Sequence, residues 1–417
     1  MSTTTMDGAL ARPASNLGPV GAASALIVLG AVYLLAAYSW RQGALFLVGA
    51  GAGVVLYHAA FGFTSSWRAA IADGRGDGLR AQMLMLAVTC AVFFPILAKG
   101  QIFGQAVRGS VAPVGVAVLA GAFIFGVGMQ LGGGCASGTL FSAGGGSVRM
   151  FATLAAFVAG SVIGALHAPF WQAAPELEPI SLVASMGLAP SLGVSLALFG
   201  GVTLVSLAVE RRRHGAENVR SIVVFGGLPY VAQGHQAQRA PGMQKEWRGW
   251  LRGPWPLVAG GLGLAVVNIA TLVLAGRPWG VTSAFALWGS KMLAAAGVEV
   301  AAWPYWQGAG NASALRASVL SDVTSVMDIG IMLGALLAAG LAGRFAPVWR
   351  VPAKSLAAAV AGGLMLGYGA RLAYGCNIGA YFSGIASSSV HGWVWFAAAF
   401  AGNMLGTRLR PWFGLRV

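Results

Sequence analysis

Charge is scarce in this chain, and negative charge scarcer still. Only 9% of its 417 residues are charged, and 11 acidic residues face 26 basic ones. A soluble domain carries roughly 25% charged residues, so the scarcity excludes an ordinary globular protein. Cysteine is nearly missing too. The three present are far apart and inside apolar segments, which excludes a disulfide framework and a CxxC zinc site. Histidines at 58, 167, 214 and 235 are scattered and point to no metal site, and nothing calls for a cofactor. No GxxxxGK[ST] motif occurs, so ATP coupling would need another protein. The opening MSTTTMDGALARPASN lacks the basic start and cleavage site of a signal peptide and reads as a polar tail, 1–19.

What the chain does have is apolar length. Hydrophobic residues make up 57% of it, with 63 glycines and 14 tryptophans, and the mean hydropathy is +0.74. Gly is tolerated in membrane helices and Trp gathers at interfaces. The composition predicts an all-α polytopic membrane protein. A span needs about 20 apolar residues. Ten segments qualify: Val20–Trp40, Ala44–Phe63, Arg80–Ala98, Ala112–Leu131, Val148–Phe170, Ser191–Val209, Trp255–Ala275, Val323–Gly343, Ser355–Leu372 and Gly392–Leu409. Four more are too short to cross and read as re-entrant half-helices: Thr64–Ile71, Cys135–Ala143, Val281–Ala295 and Cys376–Ile385.

The net charge of +15 does not mark a nucleic-acid binder, because the basic residues lie between apolar spans. Eight of them, Arg211, Arg212, Arg213, Arg220, Arg239, Lys245, Arg248 and Arg252, share one stretch with only Glu217 and Glu246. The positive-inside rule makes that loop, 210–254, cytoplasmic. Six spans precede it, so both termini are expected in the cytoplasm. The loop separates a first membrane half, 20–209, from a second, 255–410.

Two segments 241 residues apart carry the chemistry. AGAFIFGVGMQLGGGCASGTLFS (Ala120–Ser142) and AGGLMLGYGARLAYGCNIGAYFS (Ala361–Ser383) match without a gap at 10 of 23 positions, including Gly134/Gly375, Cys135/Cys376 and Ser142/Ser383. Internal repeats with short, Gly-interrupted segments are how many transporters place a site at the bilayer midplane. Each repeat takes four spans (the first over about 44–170), and the single span Ser191–Val209 separates them. The second copy is therefore expected upside down relative to the first, with Cys135 entering from the cytoplasmic side and Cys376 from the other.

At these residues the chain resembles the YeeE/YedE sulfur-transport family. The stretches GGGCASGTLFSAGGG (Gly132–Gly146) and YGCNIGAYFSGIASSSVHGWVW (Tyr374–Trp395) are similar to its two signatures. FGFTSSWRAA (Phe61–Ala70) and LRAQMLMLAVTCAVFFP (Leu79–Pro95) look like family sequence as well. The resemblance implies a bacterial inner-membrane carrier of thiosulfate or a related sulfur or selenium compound, with Cys90, Cys135 and Cys376 lining the route. Where some members carry a cysteine in the first half-helix, this chain has Thr64, Ser65 and Ser66.

The residues suit that chemistry. Half-helix N-termini offer unpaired N–H groups and partial positive charge. Ser137, Thr139, Ser142, Asn377 and Ser383 would add hydroxyl and amide donors, Gly134 and Gly375 would let backbone approach the substrate, and neutral thiols suit a soft sulfur atom. Each cysteine also has the plain reading of a small buried hydrophobe. Asp328, inside the span SVMDIGIML, is read either as a coupling site or as an ion-pair partner of Lys291 or Arg371. His391, Trp393 and Trp395 read as interfacial residues. Three functions stay open: a carrier or channel for a small sulfur anion, a selenium-compound carrier, and a membrane sulfurtransferase forming a cysteine persulfide. The expected partners are that anion, membrane lipid and a cytoplasmic sulfur-accepting protein at the Arg211–Arg252 loop.

Overall fold

The computed structural model of the protein describes residues 15–223 and 248–417. Most of the expected polar tail, and residues 224–247 of the basic loop, lie outside those residues. The first half runs α1 (Leu17–Ala37), α2 (Trp40–His58), α3 (Phe63–Arg68), α4 (Asp77–Lys99), α5 (Val116–Gly132), α6 (Ala136–Gly144) and α7 (Val148–Leu166). Two short helices, α8 (Ala168–Gln172) and α9 (Leu182–Met186), lead into α10 (Leu188–His214). After α11 (Arg248–Arg252) come α12 (Leu257–Ala275) and α13 (Thr282–Ala295), then two connectors, α14 (Pro304–Gln307) and α15 (Ala309–Arg316). The chain ends with α16 (Val323–Leu341), α17 (Ala353–Leu372), α18 (Ser383–Ala386) and α19 (Val390–Leu409). Strand is confined to two-residue pairs among the described residues. The protein is an all-α polytopic membrane protein.

A helix lies at each of the ten expected spans, and local chemistry explains where the ends differ. Trp40 opens α2 rather than closing α1, because the Ser39 hydroxyl accepts from the Gln42 N–H at 3.2 Å and caps a new helix. Helix α7 stops at Leu166, and Pro169 helps start α8. Helix α10 continues through Arg211, Arg212, Arg213 and His214, since cations suit the negative end of a helix. Among the described residues, nine helical runs are long and apolar enough to cross a membrane. The tenth, α19, is as long but carries His391, Asn403 and Arg408; it buries His391, Trp395 and Asn403 in the bundle and exposes Met404, Leu405 and Arg408. Most of α1 and α10 is exposed, with apolar side chains such as Leu29, Val32, Leu204 and Val205 facing outward.

The short pieces also form. Helix α3 runs into a π turn, Ala69–Asp73, and α13 is 14 residues long. Cys135 caps α6, and Cys376 caps a π turn, Asn377–Phe382, that continues into α18.

Packing follows a consistent exchange. Helix α2 packs on α16 as α12 packs on α4; α17 packs on α7 as α19 packs on α5; α6 packs on α16 as α18 packs on α4. Helices α5 and α17 pack on each other. Hydrocarbon gives helices no hydrophobic reason to associate, so close van der Waals approach through small residues takes over. A Cβ on Gly362 would strike the Gly132 backbone, and one on Gly126 would strike the Ala399 carbonyl. Open space surrounds Gly51. Gly362→Val should therefore cost roughly 1–3 kcal/mol by overpacking and lower the unfolding temperature in detergent, while Gly51→Val should not. Equal unfolding temperatures would refute this close helix contact.

Candidate functional site

Three glycines break the first repeat. Gly133, at a φ of +86°, ends α5 in the left-handed conformation that favours glycine. Gly134 lies against the first turn of α6, where a Cβ would sit 3.1 Å from the backbone of Gly138 and Thr139. Cys135 then takes the N-cap position. Its Sγ accepts from the Gly138 N–H at 3.4 Å and lies 3.4 Å from the Ser137 hydroxyl. In the second repeat Tyr374 and Gly375, with φ of 57° and 146°, turn the chain back after α17. Cys376 caps the next segment, its Sγ accepting from the Ile378 N–H at 3.4 Å. The two thiol-capped segments pack against each other. Cys376 lies within electrostatic range of both Cys135 and Asp328.

The expected donors divide into free and committed groups. Asn377 is fully buried, and neither end of its amide has a partner among the described residues. Ser137 is buried beside Cys135. The Thr139 hydroxyl is committed to the Cys135 carbonyl at 2.8 Å. Ser383 is committed as well: it donates to the Trp279 carbonyl at 2.7 Å and accepts from the Asn268 amide at 3.1 Å. The Ser383 bonds tie its half-helix to the Asn268 and Trp279 segment, whereas Thr139 bonds back to its own helix turn. Ser142 is partly exposed near the far end of α6. Cys90, in α4, points at the Ile385 carbonyl of α18 at 3.7 Å.

Asp328 is fully buried, and neither oxygen has a hydrogen-bond partner among the described residues. Its two expected partners are engaged elsewhere. Lys291 donates to the Leu315 and Ala317 carbonyls at 2.7 and 2.6 Å, and Arg371 to Tyr305 at 2.7 Å and Thr282 at 2.9 Å. His391 and Trp395 are not interfacial but fully buried. His391 Nδ1 lies 2.8 Å from the Ser389 hydroxyl, and Trp395 packs among Trp67, Phe125 and Tyr381. Trp393 stacks on Phe199, with ring centroids 5.4 Å apart.

Arginines frame the pair, and sequence reasoning gave them no role there. A cavity of about 460 Å³ is lined by Arg108, Arg277 and Arg371, with Ser110, Thr282 and Tyr305 adding hydroxyls. Gly375 and Gly379, on either side of Cys376, also line it. Arg277 follows the end of α12 that lies away from the basic loop, so the positive-inside pattern would not have pointed to it. On the other side of the pair, Arg149 donates to the Gly132 and Leu131 carbonyls at 2.5 and 2.6 Å, and Arg410 to the Gln130 carbonyl at 2.6 Å. These cations satisfy the open carbonyl end of α5 just before Cys135. The Gln130 side chain also bridges to Asn403 at 2.6 Å and to the Thr64 carbonyl at 3.2 Å.

A bundle of membrane-crossing helices with two thiol-capped breaks packed together at the foot of an arginine-lined cavity defines a polytopic membrane protein with a polar interior. The chain belongs to the sulphur-transport family, whose model matches residues 58–405. It is similar to the probable transporter YedE of Salmonella typhimurium strain LT2, at 32% identity over 172 residues. The probable transporter YedE of Escherichia coli K12 is similar at 31% over the same length. Each match covers 40% of this chain and 41% of the relative, so the likeness spans about two fifths of the length of either protein.

All three thiols are buried. A bulky maleimide added to the folded protein in detergent should therefore label none of them, and three thiols should appear on denaturation, read by intact mass. Rapid labelling of Cys376 before denaturation would contradict the closed geometry.

Proposed function

We propose that the protein imports thiosulfate or a closely related small sulfur anion along a path from the arginine cavity past Cys376 and Cys135 to the cytoplasm. One observation carries the reading: the two cysteine-capped breaks pack together where an arginine-lined cavity ends. On this reading the cavity faces the periplasm, the Arg211–Arg252 loop and both termini are cytoplasmic, and lipid of a bacterial inner membrane covers α1 and α10. The reciprocal packing of the two halves, and the equivalent positions of the two cysteines, support repeats of opposite orientation.

The physics asks for such an arrangement. A bare anion in hydrocarbon costs tens of kcal/mol in the Born limit, so fixed donors must replace its water. Arg108, Arg277 and Arg371 would concentrate anions at the mouth. One helix N-terminus contributes at most about 2 kcal/mol, so two packed termini with Asn377 and Ser137 would form a succession of weak sites. Weakness helps, because a conducted species must also leave. Each thiol can offer a weak S–H donor to a soft sulfur atom. A selenium oxyanion would meet the same groups.

The deciding experiment is uptake of labelled thiosulfate by proteoliposomes holding the wild type, Cys135→Ser or Cys376→Ser. Serine keeps a donor but caps the first-turn amides more tightly than sulfur, so wild-type uptake should exceed that of either variant by roughly tenfold, about the worth of one strong N-cap. Equal uptake would remove the thiols from the path, and one added sulfur on either cysteine by mass would assign a covalent transfer instead. Arg371→Gln should slow uptake at low ionic strength, with the deficit shrinking as salt screens the cavity. A deficit unchanged by salt would mean that Arg371 acts only by holding Tyr305 and Thr282.

A further inference from the structure

Asp328 sits in α16 four residues before Met332, whose carbonyl lies against Gly144 at the end of α6. Helix α6, which Cys135 caps, packs on α16, and Asp328 lies about one helical turn from that Met332 contact. Its charge reaches Cys376. The carboxyl is fully buried, and both oxygens lack partners among the described residues. Among the described residues, the elements packed on α16 bring no free cation to it. Helix α2 carries Arg41, held over the Trp40 ring in its first turn, and Tyr57 and His58 in its last. Helix α1 brings Tyr33, α6 brings only the Cys135 thiol at its cap, and the Lys291 of α13 is held by two carbonyls. Arg252 of α11 is exposed. Asp322, whose charge also reaches Asp328, caps Ser325 and sits 4.0 Å from Arg277.

An acid placed so deep without a partner is costly and usually functional. As a carboxylate it would repel any anion arriving at Cys376. As a carboxylic acid it has one O–H to give. We propose that Asp328 carries a proton and serves as a neutral hydrogen-bond donor to the anion passing Cys376 and Cys135, so that ionising it closes the path. The inference rests on the anion path proposed above.

Two measurements test it separately from that path. Infrared difference spectra of the purified protein and Asp328→Asn should show the carbonyl stretch of a protonated carboxylic acid in the wild type only, shifting when thiosulfate is added. A missing band, or one indifferent to thiosulfate, overturns the proposal whatever the protein transports. In proteoliposomes, wild-type thiosulfate uptake should fall as pH rises. Asp328→Asn, which keeps a neutral donor of the same size, should stay within about threefold of the wild type at acidic pH and lose the pH dependence. Asp328→Leu should lose roughly tenfold or more while eluting as a folded protein. An Asn variant with wild-type pH dependence, or a folded Leu variant with wild-type uptake, overturns it. A shifting band in a protein that moves no thiosulfate would refute the transport reading and uphold the donor.

Discussion

A helix broken inside a bilayer leaves amides and carbonyls that no water can satisfy, and the rest of this structure answers that demand. Such backbone survives only where protein or a polar cavity takes over its hydrogen bonds. At the first break the carbonyls of Gln130, Leu131 and Gly132 go to Arg149 and Arg410. At the second, Ser383 and Asn268 together hold the Trp279 segment against the half-helix. These anchors require α5, α7, α17 and α19 to stand close, and the glycine contacts between them allow it. The small-residue packing and the buried arginines are thus two halves of one solution. Neither would hold the breaks without the other.

Cysteine at both N-caps is an unusual choice on stability grounds. Ser, Thr, Asp and Asn cap helices well, because a hard oxygen accepts strongly from the first-turn amides. Sulfur is a weak acceptor, and at 3.4 Å each thiol holds one amide loosely. A loosely held amide exchanges its partner for an anion at little cost, whereas a carboxylate cap would occupy the amides and repel the anion as well. The π turn after Cys376 works in the same direction. Its carbonyl receives both the Ala380 and Tyr381 N–H groups, which widens the turn. The weakness of the caps is therefore a property the proposed path can use.

The fold was legible because hydropathy and the repeat are strong signals. Apolar runs located every long helix, and the GGGC and YGC turns located both breaks to the residue. What could not be read was the allocation of partners. A hydroxyl in the sequence does not say which backbone group it will meet, and Thr139 and Ser383 both find a carbonyl. No motif marks Arg149 or Arg410, yet both reach in to helix carbonyls. His391 and Trp395 were misread for a related reason. Their position at a helix start suits an interface, but the face of α19 that carries them is buried. Asn403, buried on the same helix, is the polar residue that marks that face. The cavity arginines come from three separate segments, 108, 277 and 371, and only tertiary structure unites them.

Direction is what the repeat alone could not supply. Two identical copies facing each other would treat an anion alike from either side, so any bias must come from where the copies differ. They differ at the site itself. The first break leads into a regular helix, and its flanking arginines are committed to backbone carbonyls. The second leads into a π turn with an unpartnered Asn377, beneath arginines that line an open cavity. Asp328 lies in α16, whose counterpart α4 carries an acid only at its first residue, Asp77. The free amide and the unpaired acid belong to the second copy, as do Arg277 and Arg371 of the three cavity arginines, while Arg108 comes from the first and the cations beside the first break bind backbone carbonyls. A symmetric frame brings the two thiol-capped breaks together, and on the proposed path the divergence around them would make one side the mouth.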